Sequence, residues 1–442
     1  MLPNRTLPME RLEPVEPLEP READISRTID AVWKIESPKL IAALARMTRG
    51  DVGLAEDLAQ DALVSALEQW PADGVPRNPG AWLMAIAKRR GIDHFRRNKL
   101  VDHKHEQVGY EMQARQEDAV PDFDAALDDD VGDDLLRLIF TACHPVLSTE
   151  ARVTLTLKLL AGLTTEEIAR AFLSTEPTIQ QRIVRAKRTL ADKKIAYEVP
   201  SGPELNVRLA SVLEVIYLIF NEGYSATAGD DWMRPALCED AQRLGRVLAG
   251  LAPNEPEVHG LLALIEIQAS RTAARVGPKG EPILLLDQDR RRWNQLLIQR
   301  GLAALARAER LRPARGPYTL QAAIAACHAS ARQADQTDWK RIASLYDELA
   351  ATMPSPIVEL NRAVAYGMAF GPDKGLEVVE PLVGIPSLSE YPYLPGVRAD
   401  LLFKLKRFDE AKAEFLKAAE LTKNASQRAL LLQKAAECRG EH

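Results

Sequence analysis

The chain has 442 residues and a formal net charge of −6, and a chain of this length is expected to form about three domains. No apolar run approaches the roughly 20 residues of a membrane span, and the N-terminus has no apolar signal-peptide segment, so we expect a cytoplasmic protein without a membrane partner. The four cysteines are isolated, without disulfide or metal-ligand spacing, so we expect neither a metal nor a cofactor.

Residues 1–24 form a Glu/Pro-rich tail in which the tripeptides Leu-Glu-Pro, Val-Glu-Pro and Leu-Glu-Pro follow one another from residue 12. A polyproline II helix has three residues per turn, so it would align these glutamates along one edge. The composition predicts disorder, and it leaves open the hypothesis that the tail shields a basic surface.

Residues 25–99 are predicted to contain two long helices separated by a breaker-rich loop, residues 71–80. The helix within 51–70 is amphipathic, with acids and amides between its apolar positions Leu54, Leu58, Leu63, Ala66 and Leu67. The helix within 81–99 carries six basic residues against the single acid Asp93. Apolar neighbours favour a buried indole for Trp82, the alternative being an aromatic face that captures an unstacked base.

Residues 100–131 form an acidic connector. Between Glu106 and Asp134 there are eleven acidic residues and a single basic one, Arg115. Like charges repel one another along such a segment, so it is predicted to be an extended linker between folded domains.

The segment at 162–190 is typical of a helix-turn-helix that binds DNA. Thr164 and Glu167 have the spacing of a capping box at the start of a first helix. The second helix can be capped by Ser174 or Thr175.

The second helix of this pair is strongly basic. Residues 177–194 hold six basic residues and one acid, a balance that suits DNA phosphates. Pro177 is tolerated in the first turn because an amide at that position has no helical partner. An ordinary core helix with a basic outer face is the alternative interpretation.

The chain after residue 203 is predicted to be helical. Residues 203–300 are expected to form a connector domain with two irregular loops, and 301–442 a degenerate tetratricopeptide (TPR)-like array. The positions expected to pack in the last repeat are Ala399, Leu402, Ala411, Phe415 and Ala418. The charged cluster at 287–292 is predicted to be an ion-paired loop that braces two helices, because no nucleophile, histidine dyad or phosphate loop accompanies it.

These segments resemble a known family. AEDLAQDAL at 55–63, AWLMAIAKRRGIDHFRR at 81–97 and the helix-turn-helix at 162–190 are similar to conserved regions 2 and 4 of bacterial extracytoplasmic-function (ECF) sigma factors. The long C-terminal half resembles the TPR-like extension of one subgroup. The resemblance implies an all-α fold with a region 2 domain (25–99), an acidic linker (100–131), a region 4 domain (132–197) and the large helical-repeat domain. It also implies that the linker occupies a basic channel of RNA polymerase.

The resemblance implies roles for individual residues. It places core RNA polymerase against Asp57, Gln60 and Asp61. It places the −10 promoter element against Arg77, Asn78, Trp82, Lys88, Arg89, Asp93, Arg96 and Arg97. It places the −35 element against Thr178, Gln181, Arg182, Arg185, Lys187 and Arg188. Leu173 and Leu67 depart from the family pattern, which usually has a glycine and a large aromatic residue at these positions.

The sequence therefore predicts an alternative sigma factor, not an enzyme. Its expected partners are core RNA polymerase, promoter DNA and a protein or peptide that binds the C-terminal repeats, which would modulate its activity. The other hypothesis is a helix-turn-helix regulator, or a helical-repeat adaptor, that does not act as a sigma subunit.

Overall fold

The structure is a computed structural model that describes residues 20–106, 131–172, 174–224, 233–277, 283–312, 314–422 and 424–438. The chain divides into two compact units, Met1–Val131 and Gly132–His442. Within the described residues every regular element is a helix, which confirms the all-α prediction. The tail before residue 20, the connector at 107–130 and Leu173 lie outside the described residues.

Three helices build the first unit, and they pack on one another: α1 (Pro20–Met47), α2 (Val52–Asp73) and α3 (Pro79–Glu106). Their core is apolar and almost completely buried, and it includes Leu44, Ala55, Ala62, Trp70 and Leu83. The backbone of α3 continues beyond residue 99 because residues 100–106 contain neither proline nor glycine to end the helix.

One position of α2 differs from the amphipathic prediction. Leu67, expected on the apolar face, is 47% exposed, whereas Leu58 and Ala66 are buried. Each residue advances a helix by about 100°, so Leu67 lies just outside the stripe that α1 and α3 cover. The expected apolar face is therefore narrower than the sequence pattern indicated.

Four short helices begin the second unit: α4 (Val131–Ala142), α5 (Thr149–Leu159), α6 (Thr165–Ala171) and α7 (Glu176–Asp192). The predicted capping box starts α6, where Thr164 Oγ1 accepts the Glu167 amide (3.1 Å) and Glu167 Oε2 accepts the Thr164 amide (2.8 Å). Thr175 caps α7. Gly162 adopts a φ of +71° in the turn before α6, a conformation that favours glycine.

The rest of the second unit is a series of helices in which each packs on the next. They are α8 (Gly202–Tyr224), α9 (Pro235–Leu251), α10 (Pro256–Ala269), α11 (Gln295–Leu311), α12 (Pro317–Ser330), α13 (Trp339–Thr352), α14 (Pro356–Phe370), α15 (Pro372–Val379), α16 (Tyr393–Lys404), α17 (Phe408–Leu421) and α18 (Ala425–Glu437). Short 3-10 turns at Thr272–Ala274, Leu285–Asp287 and Arg290–Arg292 separate α10 from α11.

This series confirms the helical-repeat prediction. The residues expected to pack in the last repeat form one buried cluster between α16, α17 and α18: Ala399, Leu402, Ala411, Phe415 and Ala418. Small residues let neighbouring helices approach, as at Gly375, where an added Cβ would lie 2.7 Å from the Ala363 carbonyl oxygen.

Neighbouring arginines of the charged loop before α11 make different contacts. Asp289 and Arg291 form an exposed ion pair of 3.0 Å within the loop. Arg290 is buried and donates to the carbonyl oxygens of His328 (2.6 Å) and Ala331 (2.7 Å) at the C-terminal end of α12. The brace predicted from the sequence is therefore this buried arginine, whereas the ion pair stays within the loop.

Helix α8 packs on the helices that carry the helix-turn-helix. Ser211 Oγ donates to the Cys143 carbonyl oxygen (2.6 Å), and Arg208 Nη2 donates to the Phe140 carbonyl oxygen (3.3 Å). Arg152 of α5 reaches back to α8 and donates to Ser211 Oγ. Arg152, Arg208 and Ser211 are all buried, so the helix-turn-helix and the repeat array belong to the same compact unit.

A helix both long and apolar enough to cross a bilayer is not found in the described ranges.

Candidate polymerase and nucleic-acid interfaces

One face of α2 combines acidic and apolar side chains. Asp57 and Asp61 are exposed and lie one turn apart, and Gln60 lies between them. Gln60 is half-buried, and its Nε2 donates to Glu56 Oε1 over 2.6 Å. Asp51 caps the helix by accepting the Leu54 amide (2.9 Å), so this face begins at a fixed helix terminus.

Two aliphatic side chains complete this face. Val64 is 51% exposed and Leu67 is 47% exposed. Asp57, Asp61, Val64 and Glu68 follow one another at spacings of four, three and four residues, which places them on one side of the helix. The sequence analysis missed Val64, although this spacing from the two aspartates was a usable signal. Exposed aliphatics beside carboxylates suit a partner helix with basic and apolar groups.

The loop before α3 is held by its own cap. Asn78 Oδ1 accepts the Ala81 amide (3.1 Å), so this side-chain oxygen caps the N-terminus of α3. Arg77 beside it is exposed. Trp82 is half-buried and packs edge-on against the buried Trp70, with ring centroids 5.3 Å apart. Trp82 is thus anchored in the core and still partly exposed. It is neither the fully buried indole nor the fully exposed aromatic face that the sequence left open.

The basic side chains of α3 do not share one face. Trp82, Arg89, Asp93 and Arg96 follow one another at helical spacing, and the exposed Arg97 lies beside them, where its Nε donates to the Asp93 carbonyl oxygen (3.2 Å). We call this group the α3 basic face. Lys88 is half-buried and points about 100° away from Arg89, so it lies apart from this face.

Helix α7 has a buried side and an exposed side. Ile179, Ile183, Ala186 and Leu190 are buried against α5 and α6. Four of the residues assigned to the −35 element are exposed: Thr178, Gln181, Arg185 and Arg188. Arg188 forms a solvent-exposed pair with Asp192 (3.4 Å), an interaction that is weak in water. These four side chains form the α7 reading face.

Two assigned residues of α7 lie elsewhere. Arg182 is half-buried, and its Nη1 donates to Thr154 Oγ1 of α5 over 3.4 Å. Lys187 is half-buried on the side opposite Thr178. The sequence analysis missed Val184, which is 57% exposed beside Gln181 and Arg188. An exposed aliphatic group on a recognition helix suits contact with a thymine methyl group.

Comparison with known protein families agrees with this arrangement. Residues 35–101 match the model of sigma-70 region 2, and residues 137–190 match sigma-70 region 4. The chain therefore contains a sigma-70 region 2 domain and a sigma-70 region 4 domain. The family resemblance inferred from the sequence is thereby confirmed. Residues 208–309 further match a family of unknown function (DUF6596).

Relatives of two kinds match this chain. An uncharacterized protein of Rhizobium meliloti (strain 1021) is 42% identical over 404 residues, which cover 91% of this chain and 94% of the relative. The probable ECF RNA polymerase sigma factor SigI of Mycobacterium tuberculosis, in strains CDC 1551 and H37Rv, is 27% identical over 173 residues. That match covers 39% of this chain and 57% of the relative's length.

Among solved structures, yeast Tom70 aligns with 94% of this chain and 88% of its own chain, at 12% identity and a TM-score of 0.30. A score this low carries no argument about the fold. The helical-repeat architecture rests instead on the packing of consecutive helices described above.

Burial explains the state of two core thiols. Burial raises the pKa of the Cys143 thiol to about 11 and that of Cys238 to about 12, so both are protonated at neutral pH. Within the described residues, no group of histidine, cysteine and acidic side chains has the arrangement of a metal site.

Proposed function

We propose that this protein is an ECF-type sigma factor that binds core RNA polymerase, directs it to promoters and is modulated by its C-terminal helical array. The observation that carries the proposal is the occurrence of two exposed basic helix faces, on α3 and on α7, in segments that match sigma-70 regions 2 and 4. The action is binding and strand separation in the cytoplasm, without covalent catalysis.

The proposed polymerase contact is the exposed face of α2. Asp57, Gln60 and Asp61 supply polar groups, and Val64 and Leu67 supply apolar area at its centre and edge. Interfaces of this kind derive their affinity from apolar side chains that become buried, while surrounding charges orient the partner.

The proposed −10 contact combines the loop at Arg77 and Asn78 with the α3 basic face. Arginines can hold the DNA backbone, and the partly exposed ring of Trp82 can stack on an unpaired base. Trp82 is supported from behind by Trp70, so such a base would meet a fixed aromatic surface.

The proposed −35 contact is the α7 reading face. Thr178 and Gln181 lie in the N-terminal half of α7, the part of a recognition helix that usually reaches base edges. Arg188, in the last turns, has the position of a phosphate contact. Arg182 is tied to Thr154, so we expect part of its effect to come through α5.

The decisive experiment is co-elution of the purified full chain with bacterial core RNA polymerase, followed by transcription from a library of random promoters. Co-elution and selection of promoters with defined −35 and −10 elements would support the proposal. Binding to duplex DNA without polymerase binding would favour a conventional regulator. Binding to neither would favour the adaptor.

The double replacement Arg96→Ala and Arg97→Ala should weaken promoter complexes on all sequences and flatten their salt dependence. The slope of log K against log salt should fall by roughly 0.7–0.9 for each phosphate contact that is lost. The matched control is Arg27→Ala with Lys39→Ala, which removes the same charge from exposed positions of α1. Equal slopes in both double variants would exclude these arginines from the phosphate contacts.

The replacement Arg185→Ala should relax base preference at one position of the −35 element, at a cost of about 1–3 kcal/mol for the preferred base. The reason is that an exposed arginine on the reading face can bond a guanine edge through two parallel hydrogen bonds. Promoter selection with the variant measures this preference. Arg170→Ala on α6 is the control for charge, and a loss spread evenly over all sequences would make Arg185 a phosphate contact.

A further inference from the structure

A large groove in the helical array has no role in the proposed promoter contacts. Its volume is about 1050 Å³, and it lies between α8, the N-terminal end of α12 and α14. Pockets for small ligands usually have volumes of roughly 300–1,000 Å³, so the groove can hold a molecule larger than a typical metabolite. The residues that line it all belong to the described part of the second unit.

The floor of this groove is rich in tyrosine. Tyr217 of α8 lines the groove, with its ring 5.5 Å from that of Tyr318, and its hydroxyl donates to Gln321 Oε1 (3.2 Å). Tyr346 and Tyr391 also line the groove. Burial, followed by the proximity of Tyr217, raises the pKa of Tyr346 to about 12. Tyr346 is therefore a neutral phenol at physiological pH and offers a hydroxyl donor beside an apolar ring face.

Amide side chains accompany these tyrosines. Asn206, Asn221 and Asn361 line the same groove as Gln321. A carboxamide has both a donor and an acceptor, the two groups that an extended peptide backbone offers at each residue. A groove lined by tyrosine rings and carboxamides therefore suits an extended peptide: the carboxamides can bond its main chain, and the rings can pack on its side chains.

The charge of the groove is acidic. Glu214, Glu255 and Glu257 line it, and the only cation among its lining residues, all of them described, is Arg312. Glu257 is already engaged, because its Oε2 accepts the Tyr318 amide (2.8 Å) at the start of α12. Glu214 is 47% exposed and available to an incoming cation. This charge disfavours the chain's own Glu-rich tail as an occupant and favours a basic one.

Glu214 also connects the groove to the helix-turn-helix. Its Oε2 accepts a charged hydrogen bond from Arg152 Nη1 of α5 over 3.0 Å. Helix α5 in turn supports α7, where Arg182 contacts Thr154. One carboxylate therefore lies at the groove and at the attachment of the helix-turn-helix.

We propose that the groove binds a short extended peptide with a lysine or arginine side chain, and that this cation competes with Arg152 for Glu214. Occupancy of the groove then loosens α5 and changes how the α7 reading face is held. The consequence for promoter recognition rests on the sigma-factor function proposed above, whereas peptide binding and the change at α5 do not.

Selection of displayed random twelve-residue peptides on the immobilised full chain tests the first part. We expect enrichment of peptides with lysine or arginine. The Ala210→Trp variant should not enrich these peptides, because Ala210 is exposed and lines the groove, so the larger tryptophan side chain would occupy it. Ala236→Trp, at an exposed position of α9 outside the groove, should still enrich them. Failure to enrich peptides, enrichment of acidic peptides, or equal binding to the Ala210→Trp variant would overturn the proposal.

Hydrogen exchange with the most enriched peptide tests the second part, and it requires neither polymerase nor promoter. We expect amides of α5 to exchange about two- to fivefold faster when the peptide is bound, because a half-exposed ion pair contributes less than about 1 kcal/mol. In the Glu214→Gln variant the ion pair with Arg152 is already lost, so the peptide should cause no further change in α5. Unchanged exchange in the parent chain, or the same acceleration in both proteins, would overturn the coupling. Glu239→Gln is the control, since Glu239 is exposed on α9 outside the groove.

Discussion

Replacing Val64 and Leu67 together by arginine is expected to weaken binding to core RNA polymerase by at least about 100-fold. Burial of one such aliphatic side chain contributes about 1.5–3 kcal/mol, and each 1.4 kcal/mol corresponds to a tenfold change in affinity. Both side chains are about half exposed in the structure, so the change should leave the folded first unit intact. The affinity is measured by titration of labelled chain with core RNA polymerase.

Ile35→Arg is the matched control for this experiment. Ile35 is 58% exposed on α1, in the same unit but outside the α2 face. Its replacement should leave polymerase affinity within about threefold of the parent chain, the range of an ordinary surface change. If the control and the double variant lose affinity equally, the contact is not specific to α2.

Replacing Arg152 by alanine is expected to accelerate hydrogen exchange of α5 and α7 by roughly 10- to 150-fold. Hydrogen bonds of a charged group contribute about 1.5–3 kcal/mol, and the variant leaves the buried hydroxyl of Ser211 without this donor. The pair with Glu214 adds little by itself because that carboxylate is half exposed. Local exchange is the proper measurement, since a chain with several domains does not unfold in one step.

Arg170→Ala provides the comparison for this variant. Arg170 is exposed on α6, and its removal deletes the same charge from the helix-turn-helix. We expect exchange in α5 to remain unchanged. Acceleration limited to the neighbourhood of Arg170 in one variant and of Arg152 in the other would confirm that α8 holds α5, whereas no acceleration in Arg152→Ala would exclude it.

The contact between α8 and α5 bears on how the C-terminal half should be tested. A chain ended at residue 200 lacks Arg208 and Ser211, which bond to the carbonyl oxygens of Phe140 and Cys143. Such a truncation removes part of the support of the helix-turn-helix together with the repeats. Point variants in the full chain separate regulation by the array from simple loss of that support.

The amino-acid sequence determined the features that depend on neighbouring residues. The capping box of Thr164 and Glu167 formed as predicted, because a cap acts within one turn. Of the two candidates for the next cap, Ser174 and Thr175, it is Thr175 that caps α7. The buried positions of the last repeat, such as Ala411 and Phe415, were also predicted correctly, because helical periodicity indicates which side of a helix is buried.

Only the tertiary structure decided which side chains of distant segments meet. Arg152 and Glu214 are 62 residues apart, and Tyr217 and Gln321 are 104 residues apart, so no local pattern links them. The exposure of Leu67 likewise depends on how far α1 and α3 extend around α2, which the period of α2 alone does not specify. Periodicity fixes the direction of a side chain on its own helix, whereas the partner that covers it is set by the packing of other helices.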